Sequence, residues 1–228
     1  MTESLQIARE RIRSFIRRQG RATSGQKQAL DNHWDKYCLP PAAELNLTEA
    51  FGRQVPLIIE IGFGNGSSLA DMAEANPHNN YLGIEVHRPG VGHLMMLLEQ
   101  RGINNVRIYH HDAIEILEQK IPDASVSGVH LFFPDPWHKR RHHKRRIVRP
   151  SFVELLHKKL IIGGYFHAAT DWKDYAKDML GVLGNSQLLS NSSPTQDYCP
   201  RPEYRPLTKF ENRGLNLGHG VWDLIFKK

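Results

Sequence analysis

The feature that most restricts how this chain can fold is a regular alternation of short apolar runs with longer amphipathic stretches. The runs at 57–61, 81–86, 106–109, 126–133 and 165–169 have the length and the branched or aromatic content of buried strands. Between and after them, 67–75, 91–101, 113–120, 151–160 and 172–183 carry apolar residues at three-to-four spacing, the pattern of a helix with one buried face. Strands that alternate with helices predict a parallel sheet covered on both faces. A further run, 221–226, predicts one more strand near the end. The polar, proline-rich stretch 191–206 before it is too long for a simple turn and is a candidate functional loop.

Charge narrows the class of partner. The net charge is +6 over 228 residues, but it is concentrated. Residues 1–25 carry +4 and residues 139–149 carry +7, which leaves −5 for the rest of the chain. Two basic segments on an otherwise acidic chain predict a polyanionic partner. No run approaches the roughly 18 apolar residues of a membrane span, and residues 1–25 lack the apolar core of a signal peptide. A cytoplasmic address is the expectation. Cys38 and Cys199 stand alone, without metal-ligand spacing, so no zinc site and no disulfide framework are expected.

The run 57–61 leads straight into Gly62-Phe63-Gly64-Asn65-Gly66 and then a helix. Glycines at a strand-to-helix turn free the backbone and let a nucleotide-type ligand approach it. The next strand ends at Glu85, 19 residues beyond Gly66, where a carboxylate can accept from both hydroxyls of a ribose. Two details favour S-adenosylmethionine over NAD. The spacing is GxGxG, with no last glycine to complete GxGxxG. Glu60 also stands just before the turn, where it would repel a pyrophosphate and attract an ammonium and a sulfonium. The third strand closes with Asp112, which is suited to an adenine amino group and equally to capping the helix that follows. Acids ending three consecutive strands match the arrangement of class I methyltransferases.

The fourth strand ends in Phe133-Pro134-Asp135-Pro136-Trp137. Two prolines stiffen the turn around Asp135, and the indole offers a flat face for a base. His138, Lys139, Arg140, Arg141, His142, His143, Lys144, Arg145 and Arg146 follow at once, so a phosphate-binding segment starts where the turn ends.

With these motifs in place, the chain closely resembles the bacterial tRNA (guanine-N7-)-methyltransferase family. The matching stretches are IEIGFGNG at 59–66, GIEVHRPGVG at 83–92, FFPDPWHKRRHHKRRIV at 132–148 and TKFENRGLNLGHGVWDLIF at 208–226, with RRQGR at 17–21. The resemblance implies a Rossmann-like α/β fold and methylation of guanine 46 in the tRNA variable loop, with S-adenosylmethionine as donor and no metal. It implies that Glu60, Glu85, Asp112 and Asp135 contact the cofactor beside Gly62, Gly64 and Gly66, with Asp135 also catalytic. Lys139, Asp171, Thr208, Lys209, Phe210 and Glu211 would contact substrate. Arg141, His142, His143, Lys144, Arg145 and Arg146 would meet RNA. Residues 1–52 would be a basic N-terminal arm and helical lead-in, and 53–228 the methyltransferase domain. Asp171 could equally cap the helix after it, and Lys209 and Glu211 could form a surface pair.

Two other readings compete. Asp135 followed by proline and an aromatic also resembles the turn of enzymes that methylate an exocyclic base amine, although a second consecutive proline is missing here. A non-catalytic RNA-binding module on the same scaffold is the other, and the acids at 60, 85 and 112 argue against it.

Overall fold

The expected alternation is present in the fold. A computed structural model describes residues 12–15, 20–40, 44–208, 211–212 and 220–228. After α1 (Ser24–Tyr37) and α2 (Leu47–Phe51), the chain runs β1 (Leu57–Ile61), α3 (Ser67–Ala75), β2 (Asn80–Ile84), α4 (Arg88–Arg101), β3 (Val106–Tyr109), α5 (Ala113–Gln119) and β4 (Val126–Phe132). A 3-10 helix η1 (Arg140–Arg145) precedes α6 (Pro150–Lys159), β5 (Leu160–Thr170), α7 (Lys173–Gly184), β6 (Ser190–Asn191) and β7 (Trp222–Lys227). The strands form one sheet in the order β3-β2-β1-β4-β5-β7-β6, in which β1 to β5 pair in parallel and β7 is antiparallel to both its neighbours.

Strand β1 shows why the sheet needs two covered faces, because all five of its residues are buried. Leu57, Ile59 and Ile61 point into a core that includes Ile116 and Leu117 of α5, Phe152 of α6 and Met179 of α7. Ile58 points the other way, into a core with Leu30 of α1, Leu69 of α3 and Leu94 of α4. Each such side chain fully buried contributes about 1.5–3 kcal/mol. On that second face the helices lie against β1, β2 and β3, while the chain after β6 covers β4, β5 and β7. It brings the Tyr204 ring over His130 and the Arg205 side chain onto Asp223.

Helix boundaries follow local chemistry. Thr23 and Gln26 close a capping box at the start of α1. Helix α4 starts at Arg88, earlier than the apolar periodicity suggests, because Pro89 suits a first turn that needs no N–H bond. Among the described residues no helix is long and apolar enough to cross a membrane.

Candidate active site at the carboxyl edge of the sheet

The carboxyl ends of β1 to β4 meet at one edge, and the residues just past them build the site. Gly62, Gly64 and Gly66 stand at φ values of 70°, 60° and 77°. A side chain there would cost about 1–2 kcal/mol per residue, so the turn into α3 calls for glycine. Gly90 packs on this turn so closely that a Cβ would lie 2.0 Å from the Gly64 carbonyl oxygen. Glu85 holds the turn from the β2 side. Its Oε2 accepts from Gly64 N at 2.8 Å, and its Oε1 accepts from Val86 N at 2.6 Å and His87 N at 2.9 Å. Asp112 caps α5, with Oδ1 accepting from Ile114 N at 2.8 Å and Glu115 N at 3.4 Å. A cavity of about 210 Å³ opens here, lined by Gly62, Glu85, Val86, His111, Phe133 and Asp135 among others. Ser14 and Phe15, which sequence reasoning did not single out, also line it.

Glu60 is the odd group in this edge. It is 3% exposed, sits in register with Gly83 of β2 and His130 of β4, and its Oε2 has no hydrogen-bond partner. Burial, and then the nearby Glu85 charge, push its carboxyl up to about 8. A buried acid with an orphaned oxygen, one residue before the cavity-lining Ile61 and Gly62, is a fitting receptor for a small cation. The amino group of S-adenosylmethionine is such a cation, and the strand-end acids Glu85 and Asp112 suit its hydroxyl and amino groups. Among the described residues no cluster of His, Cys, Asp or Glu is arranged to hold a metal.

The turn after β4 is stiff and strained. Phe133 and Trp137 both take positive φ, 51° and 52°, at about 1–3 kcal/mol each. Phe133 N donates to Ala169 O at 2.7 Å, which ties the turn to β5. Asp135, between the two prolines, is exposed at the cavity. The basic segment folds as η1 against this turn, with Arg145 over the Trp137 ring at 5.0 Å and His142 edge-on to it at 6.0 Å. Lys139, Arg141 and Lys144 are exposed, and His142, His143 and Arg145 are half-buried.

Arg146 departs from the expectation of an RNA contact. It is 3% exposed, its Nε donates to Pro136 O at 3.0 Å, and its guanidinium pairs with Asp174 at 2.6 Å and Asp178 at 3.2 Å over the Tyr175 ring. It anchors the turn to α7, and its charge is already met within the protein. Asp171 is half-buried just after β5 and is followed by Trp172, which packs on His138 at 4.2 Å. The Thr208 Oγ1 accepts from Glu211 N at 3.1 Å. Glu211 is 3% exposed and bound in a fork by Arg205, so it is not half of a surface pair. Lys209 and Phe210 lie outside the described residues. Sequence reasoning missed Arg205, His167 and Asp223. An acid inside the apolar strand Trp222-Asp223-Leu224-Ile225-Phe226 is the signal that a buried cation awaits it.

This sheet order, with one antiparallel strand and a glycine turn after β1, is the fold of class I S-adenosylmethionine-dependent methyltransferases. The fold is similar to that of a solved antibiotic-related methyltransferase at a TM-score of 0.56 and 15% identity, covering 81% of this chain and 95% of that one. A family model described as "Putative methyltransferase" matches residues 54–224. The chain is 56% identical over 219 residues to the tRNA (guanine-N(7)-)-methyltransferase of Shewanella amazonensis, covering 96% of this chain and 92% of that protein. It is 53% identical over 230 residues to the protein of the same name from Methylococcus capsulatus, covering 100% of both. The chain belongs to the tRNA (guanine-N(7)-)-methyltransferase family.

Proposed function

We propose that this protein transfers a methyl group from S-adenosylmethionine to N7 of guanine 46 in the variable loop of tRNA, in the cytoplasm. One juxtaposition carries the reading: Asp135 lines the same cavity as Gly62 and Glu85, and the exposed cations of η1 begin a few residues further on. A cofactor site, an acceptor turn and a phosphate-binding surface are thus contiguous.

When bound, the cofactor supplies a methyl group on a sulfonium. Guanine N7 carries an in-plane lone pair and no proton, so the protein need not remove one to create a nucleophile. Its work is to hold N7 in line with the methyl group and to favour the positive charge that develops on the purine. Glu60 would hold the amino group of the cofactor, Glu85 its ribose hydroxyls and Asp112 its adenine. Asp135, on the cavity wall with Gly62 and Glu85, would place its charge where it stabilises the cationic purine. Lys139, Asp171 and the Thr208–Glu211 segment receive the guanine nucleotide, while Arg141, Lys144 and Arg145 meet phosphates with His142 and His143 beside them.

The test is incubation with labelled S-adenosylmethionine and undermodified tRNA, followed by reduction and aniline cleavage. N7-methylguanosine is a fixed cation whose imidazole ring yields to reduction, so scission at position 46 is expected. Label in a product that resists cleavage would mean transfer to an exocyclic amine. Failure to bind the cofactor at all would leave an RNA-binding module.

A further inference from the structure

The chain between β6 and β7 carries charge inward. Arg205 is 1% exposed, and each guanidinium nitrogen donates to a carboxylate. Nη1 and Nη2 reach Glu211 Oε2 and Oε1, both at 2.7 Å, while Nε reaches Asp223 Oδ1 at 2.7 Å and Nη2 also reaches Asp223 Oδ2 at 3.0 Å. His167 Nε2 meets Asp223 Oδ1 at 2.8 Å, and the Tyr204 hydroxyl meets His167 Nδ1 at 2.9 Å. With Asp223 ionised, the imidazole donates from Nε2 and accepts the tyrosine proton at Nδ1. The Arg205 guanidinium carbon also lies 5.6 Å from the centre of the Phe133 ring and 5.9 Å from that of Phe132. One side chain therefore touches the strained acceptor turn, strand β7 and Glu211.

Covering a sheet face does not require this. The β1 to β3 half covers the same face with Leu, Met and Val from helices, which avoids the desolvation of three charges. What a guanidinium adds is a planar fork that fixes distance and direction to two carboxylates at once. We propose that Arg205 is a positioning residue for methyl transfer, fixing Glu211 relative to the Phe133–Trp137 turn so that the guanine meets the methyl group in line. This rests on the reading that Glu211 and that turn belong to the site that receives the guanine. Misplacement by about 1 Å can cost on the order of 100-fold in rate, so a joint of this kind has leverage on turnover without touching the substrate.

Arg205→Lys keeps the charge and loses the fork. With cofactor and tRNA saturating, turnover should fall by about tenfold or more, cofactor affinity should stay within about twofold, and amide exchange across 199–208 should quicken in the folded protein. Glu211→Gln should show the same pattern, and the double variant should be no slower than the slower single, because both break one joint. A folded Arg205→Lys protein with wild-type turnover, or losses that multiply in the double variant, would overturn the proposal. Should Arg205→Lys not fold, Glu211→Gln carries the test, since it leaves Arg205 on Asp223. Unchanged exchange and turnover there would also overturn it. Transfer by the wild-type protein is a separate check: its absence sinks the methyltransferase reading, while the exchange measurement still judges the joint.

Discussion

The two halves of the sheet cover the same face by opposite means. Over β1, β2 and β3 lie three helices, α1, α3 and α4, which pack apolar side chains on the sheet. Over β4, β5 and β7 lie Tyr204 and Arg205, outside any helix or strand, held through Asp223, His167 and Glu211. The difference matches what each half is proposed to hold. A small cofactor of constant shape can be received by a fixed turn and a few strand-end acids on a rigid apolar base. A nucleotide within a folded RNA must enter, be aligned and leave, and a segment joined at a few directed bonds can be set accurately without being buried in helices.

Asp135→Asn is expected to have the largest effect, because it removes a charge from the acceptor half and keeps the shape. Losing preorganised stabilisation of this kind costs on the order of 100-fold in turnover. Affinity for tRNA should change little, and raising the pH should not restore the rate, since no proton is being removed. Single-turnover rates across a pH series measure this, and a rate that recovers with pH would assign Asp135 as a base.

Glu85→Ala strikes the other half. Loss of hydrogen bonds to a charged group, each worth about 1.5–3 kcal/mol, should weaken the cofactor by about 10- to 100-fold. Calorimetry should find this with tRNA affinity intact, and unchanged cofactor binding in a folded variant would remove the cofactor site from this edge.

The basic segment sharpens the division further. Neutralising Arg141, Lys144 and Arg145 together should lower the slope of log K against log salt by about 2–3 if each meets a phosphate, and leave cofactor affinity alone. Arg146→Gln should behave differently. It ought to destabilise the fold by about 1–3 kcal/mol through its lost bonds to Pro136, Asp174 and Asp178 and leave the salt slope unchanged. A slope that falls equally in both variants would contradict the inward role of Arg146.

A pH-dependent effect concerns Glu60. Its folded-state value of about 8 lies above its ordinary 4.5. Between those two pH values the folded protein keeps a proton that the unfolded chain has released. The stability this gives is complete below about pH 4.5 and is lost as pH rises toward 8. The melting temperature of the ligand-free protein should therefore decline over that range from this source, and Glu60→Gln should flatten the decline. Parallel curves for the two proteins would mean that Glu60 is ionised when buried.

The two halves also differ in how far they can be read from the chain. The placement of Glu60, Glu85 and Asp112 at one sheet edge is legible because each stands at or just past the end of a locally patterned strand, and the glycine turn lies close to the first of them. The fold is legible for the same reason, down to the bounds of β1, β3 and α3. The Arg205 joint is not. Its partners stand 6 and 18 residues away along chain with no periodicity, and only the docking of that chain on β5 and β7 brings them together. Arg146 is hidden differently, since in a run of cations nothing local marks the one that turns inward. That is decided by Asp174 and Asp178 on α7, 28 and 32 residues further on.

The division of labour between the halves is tested most directly by initial rates of methyl transfer to tRNA, measured as a function of S-adenosylmethionine for Glu85→Ala and Asp135→Asn side by side. Glu85→Ala should climb to a plateau near that of the wild type, only at higher cofactor concentration. Asp135→Asn should level off on the order of 100-fold lower at every cofactor concentration. If saturating cofactor rescues Asp135→Asn, or fails to rescue Glu85→Ala, then the cofactor and acceptor functions are not divided between the two halves of the sheet.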